Sequence, residues 1–347
     1  MKFGLVPLDR AAGAILAHTL RLPGKVLKKG QVLGSAEIDA LAEAGLAEVT
    51  VARLGPDDVD ENAAADRLAR ALVPDPETVG LTRDPAFTGR VNIRAAGPGV
   101  VALDAAAIGA LNAVDPMITL ATVPEWQRVT EGTMVGTVKI ISYAVPEESL
   151  ARACAAGAGA IALRTPALAR ADLIVTEVAG APGRRDDKGV AAVEARLTAL
   201  GVTLSEVAFV PHEAAEVAAA LGRSAAELSL ILTGSATSDA ADVAPAGIVA
   251  AGGRLIRFGM PVDPGNLLVL GALGTRPVIG LPGCARSPAL NGADWVLERV
   301  ICGVEVGDAE IAAMGVGGLL KEIPTRPQPR DGPRSKPPQQ GGTQPEV

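Results

Sequence analysis

Aromatic residues are scarce: two Trp, one Tyr and four Phe among 347 residues. The interior must therefore be filled by Ala, Val, Leu and Ile, and the shortage argues against a platform that stacks single-stranded bases on aromatic rings. His18 and His212 are the only histidines and lie far apart in sequence, so neither a His-based metal site nor a Ser-His-Asp triad is expected. Cys154, Cys284 and Cys302 are odd in number and form no CxxC pair, which suggests neither a disulfide framework nor a structural zinc site and fits a reducing compartment. No stretch of about 18 residues runs free of charge, Gly and Pro, and the start of the chain lacks the apolar segment of a signal peptide. The expectation is a cytoplasmic protein with no membrane partner. A net charge of −7 gives no global attraction for nucleic acid, so an anionic ligand must be held by local geometry. There is no GxGxxG or Walker A run, and a Rossmann dinucleotide site is unsupported.

The length exceeds the usual ~100–200 residues of one domain. Residues 1–145 read as an α+β domain with small sheets: helices over 9–20, 35–44 and 62–72, and strands over 48–53, 91–95, 99–103, 118–122 and 134–142. In the second helix Ser35 is the expected cap, with Ile38, Leu41, Ala42 and Leu46 on one face. From Pro146 the rhythm becomes strand, loop, helix, repeated, as in a parallel sheet with right-handed crossovers. Residues 146–323 are accordingly expected to form a three-layer α/β/α domain on a mostly parallel sheet. Its strands are expected over 160–164, 172–178, 207–210, 228–233, 255–258, 267–270 and 278–280, and its helices over 146–156, 189–201, 213–222, 241–252 and 287–302. The Pro-rich, polar residues 324–347 read as a disordered tail.

In an open α/β sheet, ligands bind beyond the carboxyl ends of the strands. There the chain writes Thr233-Gly234-Ser235-Ala236-Thr237-Ser238-Asp239, one glycine and four hydroxyls before a helix. The run suits a cradle for phosphate or pterin, and equally an ordinary helix cap. Next comes a rigid turn, Met260-Pro261-Val262-Asp263-Pro264-Gly265-Asn266, which leaves Asp263 and Asn266 as contacts. Gly280-Leu281-Pro282-Gly283 then turns tightly toward the last helix and brings the donors Arg286 and Ser287 with it, or serves as punctuation alone. Between Arg254 and Arg299 five arginines face three acids, the right sign for an anion. His212 follows a strand, and Asp186-Asp187-Lys188 reads first as acids at a helix start. Cys284 reads as a small apolar residue.

This order of strand, Thr-Gly-Ser loop, Met-Pro…Pro-Gly turn and Pro-Val-Ile-Gly-Leu-Pro-Gly entering a helix resembles the molybdopterin-binding domain of molybdenum-cofactor biosynthesis proteins. That family includes the molybdopterin adenylyltransferases and the molybdopterin molybdenumtransferases. The resemblance covers about 146–303, and residues 27–51 more loosely resemble the segment before that domain in the molybdenumtransferases. It implies that Thr233, Gly234, Ser235, Ser238 and Asp239 hold the pterin and its phosphate. Gly280, Pro282 and Gly283 would line the other side, with Asp263, Gly265, Asn266, Arg286 and Ser287 completing the site. The implied ligand is molybdopterin or its nucleotide form, with Mg²⁺, and the implied partners are a nucleotidyltransferase or a molybdoenzyme, or a second copy of the chain.

Several residues depart from the family pattern. Ser235 replaces a glycine, Asn266 stands where the molybdenumtransferases carry lysine, and Cys284-Ala285 replaces Asn-Pro. Residues 172–180 would match the first strand and its loop, where the family usually writes Ser/Thr-Thr-Gly-Asp-Glu; in that loop Glu177 is the only acid and the glycine, Gly180, arrives late. Loss of the lysine removes a full charge that phosphate or molybdate would use. Two readings follow: a transferase that adenylylates molybdopterin or inserts molybdate, and a non-catalytic carrier or sensor that recruits a separate enzyme.

Overall fold

Apolar runs in the second half of the chain form strands covered on both faces, as parallel sheets require. In β1 (Arg170–Glu177) residues 171–176 are buried in succession. The other elements follow in order: α1 (Asp187–Thr198), β2 (Thr203–Pro211), α2 (Ala214–Arg223), β3 (Leu228–Leu232), α3 (Val243–Ala250), β4 (Arg254–Phe258), β5 (Val269–Leu273), β6 (Arg276–Leu281), α4 (Gly292–Ile301) and α5 (Asp308–Ala313). The computed structural model describes residues 1–180 and 186–320; the expected disordered tail and the Gly183-Arg184-Arg185 loop lie outside the described residues.

The six strands form one sheet in the order β2-β1-β3-β6-β5-β4. β2, β1, β3 and β6 are parallel neighbours, and only β5 runs against the rest. Alternate residues of each strand enter opposite layers. Leu173, Val175, Leu230, Leu232, Ile279 and Leu281 pack with α1 and α4. Ile174, Ile231 and Val278 pack with α2 and α3 through Val217, Leu221 and Ile248. The three-layer α/β/α expectation holds.

The first half is α+β with small sheets, as the patterning implied. Strands Lys2–Pro7, Glu48–Arg53 and Ile15–Leu16 form one antiparallel sheet. Ile118–Thr122, Met134–Ile140, Arg90–Ala95 and Leu81–Arg83 form another. No helix forms over 9–20. A 3₁₀ turn, Leu8–Arg10, is followed by Gly13 at φ 71° and by short strands. The amides of Gly13 and Leu16 donate to Leu33 and Gln31 across the loop, so the helical pairing gives way to cross-chain pairing.

Three further expectations are corrected. Strand Ile161–Arg164 does not join the large sheet but pairs antiparallel with Gly99–Leu103. Helix Glu147–Ala156 likewise buries Leu150 and Ala153 among Leu68, Leu72 and Leu111 of the first half. The final helix starts at Gly292, not near 287, because Asn291 caps it: Asn291 Oδ1 accepts from Ala293 N, and Asp294 Oδ2 accepts from Asn291 N. No helix among the described residues is long and apolar enough to cross a membrane.

Where the first half meets α4, Arg128 Nε lies 2.9 Å from Glu298 Oε1, and the Arg299 guanidinium sits 5.6 Å from the centre of the Trp126 ring. Burial lifts the Glu298 carboxyl to about 7, against the attraction of Arg128. The folded protein therefore holds this proton more tightly than the unfolded chain does. Its stabilising effect is complete below about pH 4.5 and lost as pH rises through about 7. Glu298→Gln should flatten the fall in Tm between about pH 5 and 8 and leave the variant more stable than wild type at the upper end by up to about 3 kcal/mol. Parallel wild-type and variant profiles in thermal unfolding would contradict this.

Candidate functional site

The carboxyl ends of β1, β2, β3 and β6 share one edge of the sheet. After β1 the chain turns to α1 on one face, whereas after β3 it turns to α3 on the other. Loops leaving neighbouring parallel strands toward opposite faces open a crevice between them. A cleft of about 680 Å³ lies there, with Thr176, Val178, Asp186, His212, Gly234 and Arg286 in its lining.

The sides of this cleft are tied together by hydrogen bonds. Gly234 N donates to Thr176 Oγ1 at 2.8 Å, and Thr176 Oγ1 lies 2.7 Å from His212 Nδ1. The Thr176 hydroxyl thus bridges the glycine amide and the His212 ring. Thr233 Oγ1 donates to Ser235 O at 2.6 Å. The amides of Ser235 and Ala236 make no hydrogen bond among the described residues. They are the donors that the loop leaves open.

Only glycine fits at 234. A Cβ there would stand 2.6 Å from Thr176 O and 3.2 Å from Val178 Cγ2. The remaining wall is held by Arg286. Its Nε donates to Asp186 Oδ2 at 2.6 Å and its Nη2 to Thr233 O at 2.8 Å. Asp186 Oδ1 in turn accepts from Gly189 N and caps α1. One guanidinium thus joins the loops after β1, β3 and β6.

The other residues singled out from the sequence stand apart from this lining. Ser238 N donates to Asp242 Oδ2, and Asp239 Oδ1 accepts from Ala241 N, closing a turn on the surface. The cap of α3 is Asp242, which sequence reasoning missed; its bonds to Ser238 N and Val243 N hold its carboxyl below the usual range. Asp263 pairs its backbone with Gly318 and Leu320, and Asn266 Nδ2 reaches Met260 O at 3.4 Å. Gly265 packs on the start of α4, where a Cβ would meet Gly292 N at 2.6 Å. Gly280 is inside β6, where a Cβ would lie 2.9 Å from Val269 Cβ. Pro282 and Gly283 open the 3₁₀ turn Gly283–Arg286, and Ser287 Oγ accepts from Ala289 N. Burial raises the thiol pKa of Cys284, which keeps it protonated and a poor metal ligand.

Arg196 on α1 was also missed. It pairs with Asp294 and donates to the carbonyls of Ala192, Ala285, Ser287 and Ala289. Nothing in the sequence spacing marks it, since three of these acceptors are backbone atoms about 90 residues away. Among the described residues no group of three or more His, Cys, Asp or Glu side chains is placed to hold a metal ion.

Asp239→Ala should cost well under about 1 kcal/mol of stability, whereas Asp242→Ala should cost about 1 kcal/mol through loss of the cap. Thermal unfolding of both variants checks this; an equal or larger loss in Asp239→Ala would contradict it.

Fold and site together define a doubly wound α/β/α domain with a cleft at its topological switch point. Residues 172–300 match the family model described as "Probable molybdopterin binding domain". Residues 5–53 match a model described as a domain of unknown function.

Among solved structures, the chain is similar to the molybdopterin biosynthesis MoeA protein from Pyrococcus horikosii, with 15% identity, a TM-score of 0.30, and coverage of 87% of this chain and 75% of that one. It is also similar to the molybdopterin biosynthesis enzyme MoaB from Thermus thermophilus, with 19% identity, a TM-score of 0.27, and coverage of 38% and 89%. A molybdenum cofactor biosynthesis protein from Pyrococcus furiosus gives 12% identity, a TM-score of 0.24, and coverage of 88% and 66%. No curated protein matches the sequence.

Proposed function

We propose that the cleft between β1 and β3 binds molybdopterin or its nucleotide form and that the protein acts in hand-over of this ligand. The observation that carries the reading is the clasp of Gly234, Thr176 and Arg286 at the cleft, followed in the chain by the Ser235 and Ala236 amides, which make no hydrogen bond among the described residues. Backbone amides at a strand-to-helix turn, together with arginine, are the donors that a phosphate group needs. The cleft volume of about 680 Å³ lies within the ~300–1,000 Å³ of small-molecule sites. Val178 and Val175 supply an apolar wall for the heterocycle, and the His212 ring in the lining offers it a polar contact.

Hand-over is favoured over turnover by the turn at 263–266. Asn266 carries no charge, and its Nδ2 already faces Met260 O. The carboxylates at the cleft do not form a protein-only Mg²⁺ cage, so a magnesium ion would enter with the ligand's phosphate oxygens. In this reading a separate nucleotidyltransferase or molybdoenzyme performs the chemistry.

The test is to mix the protein with molybdopterin, ATP, Mg²⁺ and molybdate and to follow bound pterin and released nucleotide. Tight pterin binding without nucleotide turnover is the expected result. Turnover would assign a transferase instead, and absence of pterin binding would overturn the reading.

A further inference from the structure

We propose that the cavity between residues 124–128 and helices α4 and α5 is a second ligand site. It takes a fused heteroaromatic ring whose edge carries a ring N–H beside an exocyclic amine, as guanine and pterins do. The cavity measures about 870 Å³ and shares no lining residue with the cleft.

A chain with only two tryptophans places both in this one cavity, Trp126 from the first half and Trp295 from α4. Indole faces are the best stacking surfaces for a flat heterocycle. Trp126 holds a left-handed backbone at φ 62°, a conformation that bulky residues avoid, and its amide donates to Val101 O at 2.7 Å. Strain of this kind persists where surrounding structure enforces it, and it concentrates at ligand sites. Arg299 lies over the Trp126 ring, and its buried Nε has no hydrogen-bond partner among the described residues. Arg299 also lines the cavity and gives this wall a positive charge.

Glu298 supplies the complementary group. It is buried in the wall, with Oε1 against Arg128, while Oε2 makes no hydrogen bond among the described residues. A carboxylate accepts two parallel hydrogen bonds from an N–H and a neighbouring amine, and this pairing selects guanine-type over adenine-type edges. Acceptors on the far side of such a ring would meet the positive charge of Arg299 in the lining. Leu290 and Val316, 53% and 96% exposed at the rim, would be covered by the bound ring.

Because both tryptophans line this cavity, intrinsic fluorescence of the full chain reports on it directly. Guanosine, 2-amino-4-hydroxypteridine and, as the comparison, adenosine would be titrated separately. Saturable quenching by guanosine or the pteridine below about 1 mM is expected, with adenosine at least tenfold weaker. The first two probes separate a purine from a pterin ligand. Glu298→Gln should fold, since it relieves a buried charge, and should weaken binding at least tenfold. Trp295→Ala should do the same, as a second variant on another wall. Gly234→Ala, which damages only the cleft, should leave the quenching intact, so failure here is distinguishable from failure at the first site. Lack of saturable quenching by either probe, equal quenching by adenosine, or quenching retained in Glu298→Gln would overturn the proposal.

Discussion

Gly234→Ala is expected to weaken molybdopterin binding by at least tenfold, about 1.4 kcal/mol, while the domain still folds. The added methyl would stand 2.6 Å from the carbonyl of Thr176, a separation that backbone atoms cannot tolerate. The loop after β3 must move away from β1. With it go the bond from Gly234 N to Thr176 Oγ1 and the relay to His212. The Ser235 and Ala236 amides would then point elsewhere, and a phosphate would lose pre-oriented donors. The displacement is local and solvent-facing, so stability should fall by only about 1–3 kcal/mol. Equilibrium binding and thermal unfolding measured on the same preparation separate the two effects. Unchanged affinity in a destabilised variant would show that Gly234 is a packing glycine, as Gly280 is.

Arg196→Met should be the most destabilising single change in the α/β/α domain. Methionine keeps much of the stem volume but removes the pairing with Asp294 and the bonds to the carbonyls of Ala192, Ala285, Ser287 and Ala289. Asp294 is buried and would be left with only the Asn291 amide. Removing one partner of a buried pair costs about 3–5 kcal/mol, which for a domain of this size lowers Tm by roughly 10 °C. Arg286 lies within the segment that Arg196 secures, so pterin affinity should fall as well. Chemical denaturation and ligand titration check both expectations; a loss below about 1 kcal/mol would mean that the 283–289 turn holds itself.

The layers of this domain were legible because their cause is local. Short apolar runs such as Leu228–Leu232, bounded by turn residues, can only be strands covered on both faces. The position of the cleft was legible for the same reason: the loop at Thr233 follows a strand and precedes a helix. The roles inside it were not. Gly234 and Arg286 were marked by composition and do line the cleft, but the hydroxyls that made the loop look like a cradle are partly spent on itself. Thr233 bonds to Ser235 O, and Asp239 bonds to Ala241 N.

Thr176 and Arg196 act across 58 and about 90 residues, through contacts that only the assembled sheet creates. Distance in sequence also hid the fate of helix Glu147–Ala156. Its apolar face matches a parallel-domain helix, yet it packs with Leu68 and Leu111. In the same way, Gly13 made the residues over 9–20 a turn because the 31–33 segment lies alongside to accept their amides.

Amide hydrogen exchange with and without molybdopterin tests the central claim most directly. The account predicts that the ligand slows exchange in peptides spanning 174–180 and 232–238, and that Gly234→Ala abolishes this protection. Protection confined to the 260–266 turn, or no protection at all, would contradict it.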